Sequence, residues 1–459
     1  MFWARKNDGQ ILLTAYGGAG SVTGANFLLA ARGKKILIDS GFFQGDPESE
    51  KKNWEPFPYQ PSQIDWLLVT HAHADHIGRI PKLVRDGFRG VIYSTKETKE
   101  ISAVMFDDAL RLMTNESRNV GQPVLYEGAD IDKALSLWRE IPYHEAVSLG
   151  EDISFVAKDA GHILGSAMYE ISIERERILF TGDLGNSPSP LLRDTELPAG
   201  TIYMVMESVY GDRNHESREA TKNKLFEMVN RVIKEKGLLI IPAFSLERTQ
   251  VILHDLNNMV ESGRIPPVPV FLDSPLAIKV TEIYKQNTAN FNERIRKELE
   301  TDDIWNFPKL NFTLKAFDSA QIQKTPRPKI IIAGSGMSEG GRVISHEKKY
   351  LSDGNTTILL VGFQAPGTLG RMLYDGLKEV KIEGERYKVK ANIEKIPGYS
   401  SHKDSDHLVK FVEAALPTLK KVFVAMGEPK ASNFLAQRLR DELGVNAICP
   451  ERGKSYQLV

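Results

Sequence analysis

The sequence predicts an α/β protein in which a sandwich of two β-sheets is interrupted by an inserted α/β domain. Within residues 11–207, strand after strand ends in an acidic residue or a histidine, as expected of the edge loops of a sandwich around one shared site. Further along, buried strands alternate with amphipathic helices, the pattern of a parallel sheet covered on both faces. The predicted domains are 1–207, the inserted domain 208–390, and 391–459, which completes the sandwich.

Composition limits the class of protein. The chain has 459 residues, of which 41% are hydrophobic, enough for two domains with cores of their own. The formal net charge of -1 excludes a global basic field, so any polyanion must bind in a local cleft. The one cysteine, Cys449, excludes an internal disulfide and thiolate zinc fingers. A zinc site in this chain must therefore use histidine and carboxylate ligands.

The lengths of the apolar runs indicate where in the cell the protein is expected. Residues 1–8 hold no apolar signal core, and no run is long enough to span a bilayer. We therefore expect a soluble, cytoplasmic protein with no membrane partner.

The first strands are apolar runs separated by glycine turns. Residues 11–18 form a strand that ends in a glycine pair, and residues 26–30 and 35–39 form a hairpin around Arg32-Gly33. Asp39 ends its strand just before a Ser-Gly turn. A carboxylate there either points into a site or caps the turn, and we favour the site.

The densest group of candidate metal ligands is the stretch His71-Ala72-His73-Ala74-Asp75-His76. It follows a buried strand at 66–69 and precedes apolar spacing that suits a short helix. A loop at this point can direct His71 and His73 to one side and Asp75 and His76 to the other. Two imidazoles plus a carboxylate–imidazole pair suit two zinc ions better than one. The alternative is a surface turn that is rich in histidine by chance.

Further polar residues follow later strands of the sandwich. His162 comes after a strand at 153–157, and taken alone it would more often be a packed histidine than a ligand. Asp183 ends the strand at 177–180 beside a glycine turn, the setting already seen at Asp39, and Glu207 follows the next strand. Helices are expected at 96–115, 130–140, 221–236, 247–261 and 276–299.

The inserted domain holds candidate phosphate contacts. The loop from Gly334 to Arg342 joins a strand to a helix and includes Ser335 and Gly336. Free amides at a helix start attract phosphate, and Arg342 would add a charge-assisted contact. It is not a Walker loop, because Gly-Lys-Ser/Thr is absent. The alternative is a tight turn demanded by close packing.

Two weaker phosphate candidates lie in the same domain. Arg248 lies near the start of a predicted helix and equally suits a pairing with neighbours on a solvated face. His346 equally suits an exposed position on a helix.

Together these motifs resemble a known family. Asp39, the stretch at 71–76, His162 and Asp183 resemble the ordered signature motifs of the metallo-β-lactamase fold. The run from Glu207 to Gly211, the inserted domain, and the run from Gly398 to His402 resemble its β-CASP branch of nucleic-acid nucleases. Within that branch the chain is most similar to bacterial ribonucleases related to the endonuclease subunit of the eukaryotic cleavage and polyadenylation factor. The resemblance implies an αββα metallo-β-lactamase sandwich with an inserted α/β β-CASP domain.

The resemblance also implies the ligands of two zinc ions per chain. The first zinc would have three imidazole ligands, from His71, His73 and His162. The second would have a carboxylate and an imidazole, from Asp75 and His76. The carboxylate of Asp183 would bridge the two ions.

The other catalytic roles are implied in the same way. Asp39 would orient a ligand imidazole, and Glu207 matches the first additional motif of the branch. His402 matches the second, as the proposed proton donor to the leaving oxygen. The third motif is usually a histidine in the RNA-cutting members, and here Met426 stands in its place. We therefore expect the second zinc to bind more weakly than the first.

These residues predict a zinc-dependent ribonuclease that hydrolyses phosphodiester bonds of single-stranded RNA by a two-metal hydroxide mechanism. Two zinc ions about 3.5–4 Å apart can share a hydroxide and hold the phosphate. The acidic neighbour Glu207 would keep the His402 imidazole protonated for delivery to the leaving oxygen. The alternative for His402 is a helix cap without a catalytic role.

Three other functions compete with this one. A DNA nuclease of the same branch is favoured by Met426, because such members commonly carry an apolar residue there. A small-ester or thioester hydrolase would not need the inserted domain. An RNA-binding protein with a dead site would not need six intact metal ligands. The sequence leaves a homodimer open.

Overall fold

The computed structural model describes residues 10–150, 152–365 and 367–459. The prediction that residues 1–8 hold no signal core lies outside these ranges. The chain divides into two compact units: the first runs to Asn214 and resumes at His402, and the second is His215–Ser401. These breaks fall later in the chain than the predicted boundaries at 207 and 390. Within the described ranges, no helix has the length and apolar character needed to cross a membrane.

The strands of the described ranges are, in chain order, β1 (Leu12–Gly17), β2 (Asn26–Ala31), β3 (Lys34–Ile38), β4 (Trp66–Leu68), β5 (Val91–Ser94), β6 (Trp138–Glu140), β7 (Ala146–Gly150), β8 (Ile153–Asp159), β9 (Ala167–Ile173), β10 (Glu176–Phe180), β11 (Tyr203–Met206), β12 (Leu238–Pro242), β13 (Val270–Leu272), β14 (Leu310–Phe312), β15 (Lys329–Ala333), β16 (Thr356–Leu360), β17 (Glu379–Ile382), β18 (Glu385–Lys388), β19 (Asn392–Lys395), β20 (Lys421–Val424), β21 (Ala447–Ile448) and β22 (Ser455–Gln457).

The α-helices of the same ranges are α1 (Pro47–Lys51), α2 (Ala74–Ile77), α3 (Ile80–Arg85), α4 (Lys96–Val120), α5 (Gly128–Ser136), α6 (Arg218–Lys234), α7 (Arg248–Glu261), α8 (Pro275–Gln286), α9 (Glu293–Leu299), α10 (Ala316–Gln321), α11 (Arg342–Tyr350), α12 (Leu369–Tyr374), α13 (Ser405–Glu413) and α14 (Pro429–Leu443).

The first unit is a sandwich of two seven-stranded sheets. One sheet has the order β22-β1-β2-β3-β4-β5-β6 and the other β21-β20-β11-β10-β9-β8-β7. Inward-facing residues of both sheets form one core, in which Phe27 and Ile38 of the first sheet join Phe155 and Phe180 of the second. Because successive side chains of a strand face opposite sides, each sheet also has an outer face to cover.

Helices cover these outer faces. On the second sheet, Leu179 and Met204 pack with Phe411 of α13 and Leu439 of α14. On the first sheet, α4 contacts β6, and α5 contacts both α3 and α4. The layers are therefore αββα, as predicted.

The strand directions bring the ends of several strands to one edge of each sheet. β3 pairs in parallel with β4, with Ile38 opposite Leu68. In the other sheet β10 and β20 both pair in parallel with β11. The carboxyl ends of parallel strands lie at the same edge. The residues that follow β3 and β4, and those that follow β10, β11 and β20, are therefore neighbours within their sheets.

The second unit is built on a parallel sheet of order β14-β13-β15-β12-β16-β19, with a separate hairpin of β17 and β18. Every pair of neighbouring strands in the six-stranded sheet is parallel. Ile240 and Ile331 face a core that also contains Val343 of α11 and Leu373 of α12. The alternation of strand and helix predicted for this segment is confirmed.

One predicted helix is partly wrong. The segment 130–140 was expected to be helical throughout, but α5 ends at Ser136 and residues Trp138–Glu140 form β6. The Trp138 indole is buried and donates a hydrogen bond of 2.8 Å to Ser94 Oγ, on the parallel neighbour β5. This tertiary contact outweighs the local preference for continuing the helix.

Candidate active site

Asp39 connects the first two strand ends of the site. It follows β3 with a φ of 59°, and its carboxylate accepts hydrogen bonds of 2.8 Å from the Thr70 backbone amide and from Thr70 Oγ1. Its Oδ2 also lies 2.7 Å from His76 Nδ1. Asp39 is fully buried, so these contacts fix the His76 ring and direct its Nε2 away from Asp39. Thr70 is a site residue that the sequence analysis missed.

A first group of ligand atoms converges on one point. One atom each from His71, His73, His162 and Asp183 lies within 4.8 Å of all the others. Asp183 Oδ2 is 3.4 Å from His71 Nε2 and 3.5 Å from His162 Nε2. Three imidazoles and a carboxylate around one point form a donor set that suits a divalent cation such as zinc.

A second group lies on the other side of Asp183. Its Oδ1 is 3.4 Å from His76 Nε2, and Asp75 Oδ2 is 3.9 Å from the same nitrogen. Both Asp183 Oδ1 and His76 Nε2 are buried, and neither has a hydrogen-bond partner among the described residues. Buried polar atoms are normally paired. A cation held between them would satisfy both, so these residues fit a second metal ion.

Glycine allows the two sheets to approach at this point. Gly182 precedes Asp183 with a φ of 52°, and a Cβ on it would lie 2.7 Å from the Thr70 Cβ. A larger residue would separate the end of β10 from the loop that carries His71. The Thr-Gly-Asp order after β10 therefore has a steric reason.

His402 lies at the rim of the site beside two carboxylates. Its Nδ1 is 3.2 Å from Glu207 Oε1 and 4.0 Å from Asp183 Oδ2. The His402 side chain is 19% exposed, whereas Glu207 is fully buried. Glu207 Oε1 also accepts a 2.7 Å hydrogen bond from the Leu184 amide, which holds the carboxylate in place. The site thus has a partly exposed imidazole with a fixed acidic neighbour.

Burial and neighbouring charges shift the pKa values of the site histidines in two directions. Burial lowers the pKa of His71, His73 and His162, which favours the neutral form that binds metals. Burial also acts to lower the pKa of His76, but the charges of Asp183 and Asp39 outweigh it and raise that pKa well above its usual value.

Burial and charge also oppose each other in setting the pKa values of His402 and Asp183. Burial acts to lower the pKa of His402, but the charge and hydrogen bond of Glu207, together with the charges of Asp183 and Asp75, outweigh it and raise that pKa. Burial acts to raise the pKa of Asp183, but His76 and His71 hold it well below its usual value. An environment that keeps Asp183 ionised and attracts a proton to His76 also attracts a cation.

Met426 follows β20 and lies in apolar surroundings. Its φ is 45°, and its backbone amide donates a 2.6 Å hydrogen bond to Gly18 O. Its thioether packs so closely on Gly18 that a Cβ there would lie 2.3 Å from Met426 Sδ. Met426 lines a small cavity together with Asp39, His76 and Glu207. It therefore borders the second group of ligands without adding a nitrogen or oxygen donor.

Two candidate phosphate contacts in the second unit are engaged within the protein. Arg342 Nη1 is 2.7 Å from Asp273 Oδ1, and His346 Nε2 is 2.7 Å from Asp273 Oδ2. Arg342 Nη2 also donates to Leu314 O at 2.9 Å. Asp273 follows β13 and is fully buried. The sequence analysis gave it no role, although its place after a strand is the signal that singled out Asp39 and Asp183.

The other phosphate candidates are also held by internal contacts. The Ser335 amide donates to Gly340 O at 3.1 Å, and Ser335 Oγ accepts from the Glu339 amide at 2.9 Å. A Cβ on Gly336 would lie 2.6 Å from the Phe244 ring, so close packing accounts for that glycine. Arg248 is buried and donates to Val361 O. Phosphate binding by these residues stays a prediction.

The sequence matches three family descriptions along its length. Residues 21–242 match the metallo-beta-lactamase superfamily, residues 249–373 the Beta-Casp domain, and residues 386–450 the Zn-dependent metallo-hydrolase RNA specificity domain. The chain belongs to the metallo-β-lactamase superfamily and to its Beta-Casp members. It is accordingly a metal-dependent hydrolase of the nuclease class.

Particular relatives support this assignment. The chain is 33% identical over 402 residues to Ribonuclease TTHA0252 of Thermus thermophilus, covering 87% of this chain and 90% of the relative. It is 31% identical to Transcription termination factor FttA of Methanosarcina mazei, covering 95% of this chain and 70% of the relative.

A solved structure is similar in fold. The crystal structure of a protein of unknown function from Enterococcus faecalis V583 matches with a TM-score of 0.55 at 13% identity. The match covers 98% of this chain and 100% of the other. At that identity the similarity supports the fold alone.

Proposed function

We propose that this chain is a zinc-dependent ribonuclease that hydrolyses phosphodiester bonds of single-stranded RNA. The observation that carries the proposal is the position of Asp183, whose two oxygens face two separate groups of ligands. Its Oδ2 faces His71 and His162, and its Oδ1 faces His76. The RNA specificity domain at residues 386–450 and the ribonuclease among the relatives support RNA as the substrate.

The metal sites define the reaction class. When bound, two zinc ions supply a water of lowered pKa and positive charge for the phosphate. The chain's own part is to hold those ions in fixed positions. Asp39 fixes His76, and Asp183 faces both groups at once.

His402 completes the proposed mechanism as the proton donor. The leaving oxygen of a phosphodiester needs a proton, and a positioned imidazolium supplies one efficiently. Glu207, 3.2 Å away, favours the protonated form of His402. Partial exposure of the His402 side chain lets it take up a proton from solvent after each turnover. The proposed catalytic residues are therefore Asp39, Asp75, Glu207 and His402.

The predicted segments 1–207 and 391–459 would carry this chemistry, and 208–390 would contribute contacts to the RNA. The proposal retains the predicted cytoplasmic location and leaves a homodimer open.

A DNA nuclease is the second candidate, and Met426 is the observation that favours it. Matched single-stranded RNA and DNA, each labelled at one end or internally, would be incubated with protein of measured zinc content. We expect RNA to be cut and DNA to be left largely intact. Preferential cutting of DNA would overturn the proposal. A parallel assay with a small ester or thioester, if it released product while neither strand was cut, would favour the hydrolase alternative.

A further inference from the structure

The second unit exposes three large apolar side chains within six residues. Phe312, Leu314 and Phe317 are 37%, 48% and 72% exposed. Exposed apolar residues that occur singly are ordinary, whereas several of them close together are a candidate binding surface. The group lies at the edge of the parallel sheet, where β14 pairs with β13 and with no other strand of the described ranges. We call residues 312–317 the aromatic edge.

One buried carboxylate holds the chain near the start of the aromatic edge and just after its end. Asp273 accepts a 2.7 Å hydrogen bond from Thr313 Oγ1 and another of 2.7 Å from Ser319 Oγ. Arg342 binds Asp273 and also donates to the carbonyl oxygens of Thr313 and Leu314. The exposed rings therefore project from a fixed backbone, and binding a ligand there would cost little ordering of the chain.

Charge around the aromatic edge favours a polyanion. Residues 309–324 contain three lysines, Lys309, Lys315 and Lys324, and a single carboxylate, Asp318. All three lysines are exposed. Within the described ranges none of them forms an ion pair, because no carboxylate oxygen lies within 4.0 Å of its Nζ. The Lys309 ammonium group donates a hydrogen bond of 3.0 Å to the carbonyl oxygen of Pro267. Their charge is thus available to phosphates.

We propose that the aromatic edge is a stacking platform for bases of single-stranded RNA, with Phe317 as its main contact. Phenylalanine rings stack on any base, and flanking lysines hold the backbone, so such a platform accepts any sequence. The inference rests on the proposed function, because it assigns a binding surface for the same substrate.

A second copy of this chain is a poorer occupant of the edge. Antiparallel pairing of two β14 strands about Phe312 would set Lys309 of one copy opposite Lys315 of the other. Like charges directly opposite each other destabilise a strand pair. The same lysines favour a phosphate backbone.

The test compares binding by the parent, Phe317→Ala and Leu112→Ala. Leu112 is the control, because it is also an exposed large apolar residue, at 45%, on α4 in the first unit and outside the RNA specificity domain. The probe is a fluorescent phosphorothioate uridine oligomer of about 20 nucleotides, which resists cutting and is long enough for several stacked bases. We expect Phe317→Ala to weaken binding roughly 5-fold or more, and Leu112→Ala to match the parent.

Two further variants separate stacking from charge. Phe317→Trp places a fluorophore on the edge, and we expect its emission to be quenched by the oligomer relative to the parent's own tryptophans. Lys315→Glu should weaken binding and reduce its dependence on salt. Parental binding by Phe317→Ala, with an unquenched tryptophan, would overturn the platform.

The outcomes also distinguish this inference from the proposed function. A parent that cuts RNA, alongside a Phe317→Ala variant that binds RNA as the parent does, overturns the platform alone. A parent that neither binds nor cuts RNA overturns the proposed function. A Phe317→Ala variant with altered oligomeric state and parental RNA affinity would identify the edge as a protein interface and overturn the inference.

Discussion

Asp183 Oδ1 and His76 Nε2 lie 3.4 Å apart in the interior of the first unit, each without a hydrogen-bond partner in the described ranges. Two buried polar atoms in this state carry a desolvation cost that a shared cation would remove. The other Asp183 oxygen faces His71 and His162. Removing Asp183 should therefore affect both metal ions, whereas removing His76 should affect one.

Asp183→Asn is expected to lose both zinc ions and nearly all activity, and His73→Ala to lose the first zinc together with nearly all activity. His76→Ala should retain about one zinc per chain, since His71, His73 and His162 remain. Zinc content by elemental analysis and cleavage of labelled RNA would be measured on the same samples. His144→Ala is the matched control, because this histidine side chain is exposed and its Nε2 lies 2.7 Å from Glu196 Oε1, away from the ligand groups. RNA cleavage at the parental rate by Asp183→Asn or His73→Ala would contradict the dinuclear site.

His402→Ala should separate proton delivery from metal binding. Zinc content should stay near the parental value, while RNA cleavage falls roughly 10²–10⁴-fold, the usual contribution of a general acid. A substrate whose leaving group needs no proton should recover much of the loss. His407→Ala is the control, since His407 Nδ1 pairs with Asp404 Oδ1 at 2.7 Å at the start of α13. Normal turnover by His402→Ala would show that His402 has only a structural role.

Glu347 in the second unit predicts a pH dependence of stability. It is fully buried, accepts a 2.6 Å hydrogen bond from Ser338 Oγ, and its Oε2 has no partner in the described ranges. Burial raises its pKa to about 8, with a smaller opposing effect from Ser338. The folded chain therefore keeps a proton that the unfolded chain releases near pH 4.3. Its contribution to stability is full below about pH 4 and is lost as the pH rises through about 8.

Glu347→Gln keeps the hydrogen bond from Ser338 and removes this titration. The variant should melt close to the parent at about pH 5 and at a higher temperature than the parent at about pH 8.5. Glu293→Gln is the control, because its side chain is 74% exposed. Melting temperatures would be recorded at matched ionic strength across that range. A difference between Glu347→Gln and the parent that does not change with pH would contradict the prediction.

The sequence signal for the candidate site was clearest at the ends of strands. Asp39, Asp183 and Glu207 each follow a strand, and parallel pairing makes neighbours of the strand ends within each sheet. The structure places the His162 ring 4.5 Å from the His402 ring, and His402 Nδ1 lies 3.2 Å from Glu207 Oε1. Their metal and proton-transfer roles stay predictions.

The parts that were not predicted depend on partners distant in the chain. Arg342 has the sequence setting of a phosphate contact, but Asp273, 69 residues earlier, already binds it. Trp138 becomes part of a strand because its indole reaches Ser94, 44 residues earlier. Neither partner can be identified from periodicity or spacing, since both depend on how the elements pack.

Met426 should limit the affinity of the second metal site. A thioether is a soft, weak ligand beside imidazole and carboxylate donors, and this one is packed against Gly18 within the sandwich core. The second zinc would then have Asp75, His76 and Asp183. His407 is a poor substitute, because it pairs with Asp404 at the start of α13.

We expect a calorimetric zinc titration of the parent to resolve a tight site and a weaker one, with modest nuclease activity. Met426→His should tighten the weaker site and raise the rate, whereas Met426→Leu, which keeps the apolar packing, should leave both affinities at parental values. Two equally tight sites in the parent, unchanged by Met426→His, would mean that Met426 only packs and that other groups complete the second site.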